Sequence, residues 1–225
     1  MAFNPGQHPA LASWNIGGGS LNWCSSRADT SSFWTPLRDN LRNLYTATGL
    51  VCLQETGPSF GRAETPPYVQ KHFRDAVASS DAAFHFLRGQ TLIVDTTRWL
   101  IESLPRQRKV FPEGTYDPDA KARAHWRTWV EFPATHRPSG AQFLMGMIHT
   151  FSGRYGKGTS EDHTKMSKSH AWKRFKRDAV HNMLGQLEAR AYETRRTLVA
   201  CGDSNINESD DITACLDEYI GFSQG

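Results

Sequence analysis

Apolar positions along the chain fall into short continuous or alternating runs, separated by stretches rich in glycine and proline. Leu11-Ala-Ser-Trp-Asn-Ile16 alternates about the chain and stops at Gly17-Gly18-Gly19, which predicts a strand running into a turn. From Phe33-Trp34 the period changes. Trp34, Leu37, Leu41 and Leu44 recur every three or four residues, the spacing of one helical face, until Gly49. Leu50-Val-Cys-Leu53 is apolar throughout and bounded by Gly49 and Gln54-Glu55, as expected of a strand covered on both faces. Residues 57–67 predict a loop, and Thr91–Val94 and Trp99–Ile101 predict short strands about the turn Asp95-Thr96-Thr97. Residues 105–121, punctuated by Pro105, Pro112, Gly114 and Pro118, predict a second loop. Arg127–Phe132 and Phe143–Ile148 predict a hairpin with a long loop over Pro133–Gly140, and residues 153–168 predict another loop. A helix is expected from about Ser169 to Arg190, with Trp172, Phe175, Ala179, Met183 and Leu187 on one face. Arg196–Cys201 predicts the last strand before Gly202-Asp203. Hairpins mixed with helices, without repeats or an evident linker, predict an α+β layered sandwich built as a single domain over residues 1–225.

Composition narrows the class without choosing a function. A chain of 225 residues with 38% apolar and 22% charged positions can form a core, which excludes wholesale disorder. No apolar run approaches the roughly 18 residues of a membrane helix. Nor does the start, Met1-Ala-Phe-Asn-Pro-Gly-Gln-His8, carry a basic-then-apolar leader, so a cytoplasmic protein is the default expectation. Cys24, Cys52, Cys201 and Cys215 lack the Cys-x-x-Cys spacing of a zinc site, and Cys52 and Cys201 lie inside apolar runs, as buried thiols in a reducing compartment would. A net charge of +3 does not by itself imply nucleic acid, but its distribution is uneven. Arg154, Lys157, Lys165, Lys168, Lys173, Arg174, Lys176 and Arg177 crowd one stretch, interleaved with Tyr155 and Trp172. Such a stretch attracts phosphate backbones in a salt-dependent way, although a charge run is more often a solvated face.

The informative polar groups sit at the ends of apolar strands: Asn15, Gln54-Glu55, His149, and Asp203 with Asn205. Carboxylates at the edge of a buried strand are costly to desolvate without a partner or a cation. Carboxylate and amide oxygens suit a hard ion such as Mg²⁺, and a neighbouring His can donate to a phosphoryl oxygen. These parts match metal-assisted phosphodiester cleavage. Each has a blander reading taken alone. Asn15 suits a turn, Gln54-Glu55 a cap, His149 a satisfied core histidine, and Gly202-Asp-Ser-Asn205 a β-turn or helix N-cap.

Taken together and in order, Trp14-Asn15-Ile16-x-Gly18, Leu53-Gln54-Glu55, Ile148-His149 and Gly202-Asp203-Ser204-Asn205 resemble the endonuclease/exonuclease/phosphatase superfamily, the DNase I-like fold. The resemblance runs from about residue 10 to 207. Within that superfamily the chain looks most like the nuclease subunit of cytolethal distending toxins, given Trp14-Asn15, Phe33-Trp34 and Gln54-Glu55-Thr56-Gly57-Pro58. The stretch Leu92–Trp99 also resembles the superfamily's paired strands around an Asp-x-x-Arg turn. The resemblance implies two mostly antiparallel sheets flanked by helices, and an Mg²⁺- or Mn²⁺-dependent phosphodiesterase, with a DNA endonuclease as the leading expectation. It makes Glu55 the main metal ligand, helped by Asn15 and Gln54. Asp203 orients or deprotonates the attacking water, Asn205 holds the phosphate or the nucleophile, and His149 steadies the transition state. Arg154, Lys157, Lys165, Lys168 and Lys173 would contact nucleic acid.

One feature departs from the family. Its enzymes carry a closing Ser-Asp-His strand, absent from the about twenty residues between Asp203 and Gly225, so a C-terminally short domain is expected. General acid/base catalysis supplies about 10²–10⁴-fold, so the alternatives are a substitute group, for which His163, His170 and His181 are candidates, or a phosphate-binding relic without turnover. A phosphoinositide or other phosphoester substrate is the third alternative.

Overall fold

The computed structural model describes residues 7–17, 31–57, 64–109, 128–149 and 170–203, excepting the side chains of 31–33, 109, 128 and 170–176. Its first sheet contains β1 (Ala12–Asn15), β2 (Leu50–Gln54), β3 (Ala82–Leu87) and β4 (Gln90–Asp95), in the order β1-β2-β4-β3. The second contains β5 (Trp99–Ile101), β6 (Arg106–Lys109), β7 (Thr128–His136), β8 (Ala141–His149) and β9 (Thr197–Asp203). Its order is β5-β7-β8-β9, with β6 also on β7. Helices α1 (Ser31–Thr48) and α2 (Pro67–Val77) cover the first sheet, and α3 (His170–Thr194) covers the second.

The strands are apolar on both sides because each sheet is covered on both sides. Leu50, Cys52, Leu92 and Val94 meet Trp99, Val130, Phe132, Met145 and Met147 between the sheets. The alternate residues Val51, Leu53 and Ile93 face the helices, where Trp34, Leu37, Leu41, Val69 and Phe73 pack on them. On the opposite side Trp129, Leu144 and Ile148 receive Ala179, Met183 and Leu187 of α3. The result is a four-layer α+β sandwich, as the sequence leads one to expect.

Each sheet is mostly antiparallel, as expected, with one parallel pair, β1 with β2 and β8 with β9. Several other expectations are corrected. The Asp95–Arg98 turn does not join paired strands. β4 pairs with β2 and β3 and β5 with β7, so this turn carries the chain from one sheet to the other. Pro133 lies within β7 opposite Leu144, and the hairpin loop shrinks to residues 137–140, closed by Gly140 N–H donating to the His136 carbonyl. The stretch read as loop from 105 contains β6, whose charged residues suit an edge strand: Arg108 Nη2 reaches the buried Glu131 of β7 at 2.7 Å. The stretch read as loop to residue 67 ends in α2, which has Pro67 at its first turn, where a missing N–H costs nothing.

Candidate active site

The parallel pairs bring four strand ends to one edge of the sandwich, with Asn15 opposite Gln54 and His149 opposite Asp203. Strand parity then aims the side chains. Met145 and Met147 on β8 and Cys201 on β9 face the space between the sheets, so His149 and Asp203, two residues further on, leave from the same face. Gly202 permits the β8–β9 approach: its φ is +135° and an added Cβ would lie 1.8 Å from the Ile148 carbonyl oxygen.

Glu55 breaks the parity. Alternation along Leu50–Gln54 would send residue 55 toward the helices, but its φ of +56° turns it back toward His149 and Asp203. A non-glycine residue in this left-handed region costs about 1–2 kcal/mol, so the surrounding structure holds it there.

The four side chains converge. Asn15 Nδ2 donates to Asp203 Oδ2 at 2.6 Å and to Glu55 Oε1 at 3.3 Å, while Asn15 Oδ1 accepts from Gly17 N–H at 2.9 Å. His149 Nε2 lies 3.3 Å from the same Glu55 oxygen. One ligand atom each from Glu55, His149 and Asp203 lies within 4.8 Å of the others. Glu55 and His149 are buried, and Asn15 and Asp203 half-buried. Two carboxylates aimed at one point repel each other, and a cation between them relieves that repulsion. With an imidazole beside them, this donor set fits a small divalent ion that retains water ligands.

The remaining expected residues fall elsewhere. Gln54 is fully buried, and its Nε2 donates to Ser13 Oγ and to the Cys52 carbonyl, each at 3.2 Å, so its amide joins β1 to β2 outside the cluster. Cys52 and Cys201 are free cysteines between the sheets, and the neighbouring Cys201 together with burial pushes the Cys52 thiol well above its ordinary range. His181 lies on α3, on the outer side of the second sheet. Lys173 and His170 belong to the first turn of α3, their side chains outside the described residues. Asn205, His163, Arg154, Lys157, Lys165 and Lys168 also lie outside the described residues. Sequence reasoning missed Thr56, Thr65 and Thr91, three buried hydroxyls behind Glu55. Their positions, 56, 65 and 91, share no local pattern in the sequence.

No protein-family model matches the sequence, and no curated protein matches it either. Solved structures do. A mannosyl-6-phosphatase from Bacteroides thetaiotaomicron is 14% identical with a TM-score of 0.58, over 92% of this chain and 70% of that one. The human Nocturnin catalytic domain with bound sulfate is 14% identical with a TM-score of 0.56, over 89% of this chain and 65% of that one. An endonuclease/exonuclease/phosphatase family protein from Bacteroides thetaiotaomicron is 12% identical with a TM-score of 0.55, over 88% and 64%. The chain thus spans slightly less than two thirds of the length of the last two. Its two helix-flanked mixed sheets have the fold of these structures, one of which is an endonuclease/exonuclease/phosphatase family protein.

Proposed function

We propose that the chain is a divalent-metal-dependent phosphoesterase that cleaves phosphodiester bonds, with DNA as the favoured substrate. The observation that carries this reading is the convergence of Asn15, Glu55, His149 and Asp203 at one edge of the sandwich. The named neighbours lend support: one is a sugar phosphatase, another holds a sulfate anion. The preference for nucleic acid rests on the basic stretch from Arg154 to Arg177, and the finer likeness to cytolethal distending toxin nucleases rests on sequence motifs alone.

Glu55 and Asp203 would hold the ion, Mg²⁺ or Mn²⁺, which would supply Lewis-acid neutralisation of charge developing on the phosphoryl oxygens. Asn15 keeps both carboxylates aimed by donating to each. Asp203, half-buried and open to solvent, accepts a hydrogen bond from the attacking water and orients it. His149 places an N–H at the same point and donates to a non-bridging oxygen as negative charge builds. Asn205, two residues beyond the end of β9, would steady the phosphate, and Gln54 keeps the β1 and β2 ends in register.

Plasmid nicking by the purified protein tests this. Expected is Mg²⁺- or Mn²⁺-dependent nicking, abolished by chelator and reduced at least about 100-fold by His149→Ala or Asp203→Ala. Full activity in both variants rules out the site. Salt-sensitive DNA retention without turnover would indicate a binding protein instead. Phosphate release from phosphoinositide or sugar phosphate in place of nicking would move the substrate class.

A further inference from the structure

Behind Glu55 three threonine hydroxyls close a ring. Thr91 Oγ1 donates to Thr56 Oγ1 at 3.0 Å, Thr56 and Thr65 hydroxyls lie 2.9 Å apart, and Thr65 and Thr91 hydroxyls 3.3 Å apart. All three residues are buried, at 0%, 1% and 0% exposure for Thr56, Thr65 and Thr91. A hydroxyl has one proton to give. With Thr91 donating to Thr56, the arrangement that satisfies all three is a circuit in which Thr56 donates to Thr65 and Thr65 to Thr91. Such closed circuits reinforce their members and leave no buried donor unmatched.

The ring joins three separate elements. Thr56 follows Glu55, Thr91 lies on β4 opposite Leu53, and Thr65 immediately precedes Pro66 and the start of α2. A fourth bond acts on the same peptide: Thr56 N–H donates to the Gly89 carbonyl at 3.2 Å. The residue so clamped is the one after the left-handed Glu55, whose φ of +56° is what turns its carboxylate into the cluster.

We infer that the Thr56–Thr65–Thr91 hydroxyl ring is a positioning device that holds the Glu55 backbone left-handed and thereby sets its carboxylate toward His149 and Asp203. The consequence for metal binding rests on the functional reading above; the clamp on the backbone does not. Replacing one threonine by valine keeps the shape and removes the hydroxyl, leaving two buried hydroxyls to share a single bond. Serine keeps the hydroxyl.

The test uses Thr65→Val and Thr65→Ser, since Thr65 lies outside both sheets, with Thr91→Val and Thr91→Ser read in the same way. Expected in the valine variants is about tenfold faster hydrogen exchange at the Thr56 amide and about tenfold weaker Mn²⁺ binding by calorimetry, both restored to within about threefold by serine. Unchanged exchange, or unchanged Mn²⁺ affinity in a valine variant with faster exchange, overturns the inference. In the wild type, three slowly exchanging hydroxyl protons with mutual cross-peaks are expected by NMR, and rapid exchange with water overturns the ring without any variant. Wild-type protein that binds no Mn²⁺ sinks the metal reading, while the amide and hydroxyl signals still decide the clamp.

Discussion

Asn15 and Asp203, separated by 188 positions, share a 2.6 Å hydrogen bond from Nδ2 to Oδ2, and the same amide nitrogen lies 3.3 Å from Glu55 Oε1. One neutral side chain therefore orients both carboxylates, and its own orientation is fixed by Gly17 N–H on its oxygen. Asn15→Ala removes these donors and leaves the carboxylates facing each other unaided. The expected outcome is a loss of about 10–100-fold in metal affinity, with a comparable fall in phosphoester turnover. Calorimetric titration with Mn²⁺ checks the first and an initial-rate assay the second. An Asn15→Ala protein indistinguishable from wild type in both would show that the amide is not an organiser of the site.

If the Glu55–His149–Asp203 cluster holds a divalent ion, the folded state gains stability by mass action. At about 100 times the dissociation constant the gain is roughly 2.7 kcal/mol, worth about 5–10 °C in Tm for a chain of this size. Chelator should remove the shift. Asp203→Asn should abolish it, and without metal should melt no lower than wild type because carboxylate repulsion is relieved. Thermal melts with and without Mg²⁺ and Mn²⁺ decide. Equal metal-induced shifts in wild type and Asp203→Asn would place any bound ion elsewhere.

Most of the sandwich was legible because its buried strands and helix faces have strong apolar periods. α1 shows one in Trp34, Leu37 and Leu41, and α3 shows one in Ala179, Met183 and Leu187. The four convergent residues were legible as polar groups ending such strands. What escaped had a weaker local signature. β6 is Arg-Gln-Arg-Lys, without an apolar alternation, because its stability comes from pairing along β7 and from Glu131. In α2 the pair Pro66-Pro67 reads as a break, although Val69, Phe73, Ala76 and Val77 keep helical spacing behind it. Gln54 and Glu55 look equivalent in sequence. Only the left-handed φ at Glu55 separates a residue in the cluster from one committed to Ser13 and the Cys52 carbonyl. The threonine ring joins positions 56, 65 and 91, and no local pattern announces it.

Gly202 offers a stability test of the site's geometry. An alanine there would combine an unfavourable φ of +135° with a Cβ 1.8 Å from the Ile148 backbone oxygen, an atom that cannot move without parting β8 from β9. Gly202→Ala is expected to cost about 3 kcal/mol or more and to separate His149 from Asp203. Gly185, on the exposed side of α3 with nothing within 4 Å of its added Cβ, is the control. Gly185→Ala should stabilise by about 0.5–1 kcal/mol through helix propensity. Urea denaturation of both variants checks the contrast, and a Gly202→Ala protein as stable as wild type would contradict the described approach of β8 and β9.

Glu102, just after β5, ties that edge of the second sheet to the start of β9. Arg196 grips it with both terminal nitrogens, Nη1 on Oε1 at 2.8 Å and Nη2 on Oε2 at 2.6 Å, and Thr135 Oγ1 donates to Oε1 at 2.7 Å. The Arg196 hydrogen bonds, then that from Thr135, hold the Glu102 carboxyl below the ordinary 4.5 of a glutamate. The unfolded chain therefore binds the proton more readily, so the pair's stabilisation is present above pH 4.5 and is lost as pH falls through the lower folded value. Because the pair is partly solvent-exposed, Glu102→Gln should cost only about 1 kcal/mol at pH 7 and less at high salt. The gap between wild type and Glu102→Gln should close in acid, as the wild-type carboxylate takes up its proton. Urea titrations of both proteins from pH 7 downward measure that gap. A difference that stays constant through the acid range would mean the contribution is packing rather than charge.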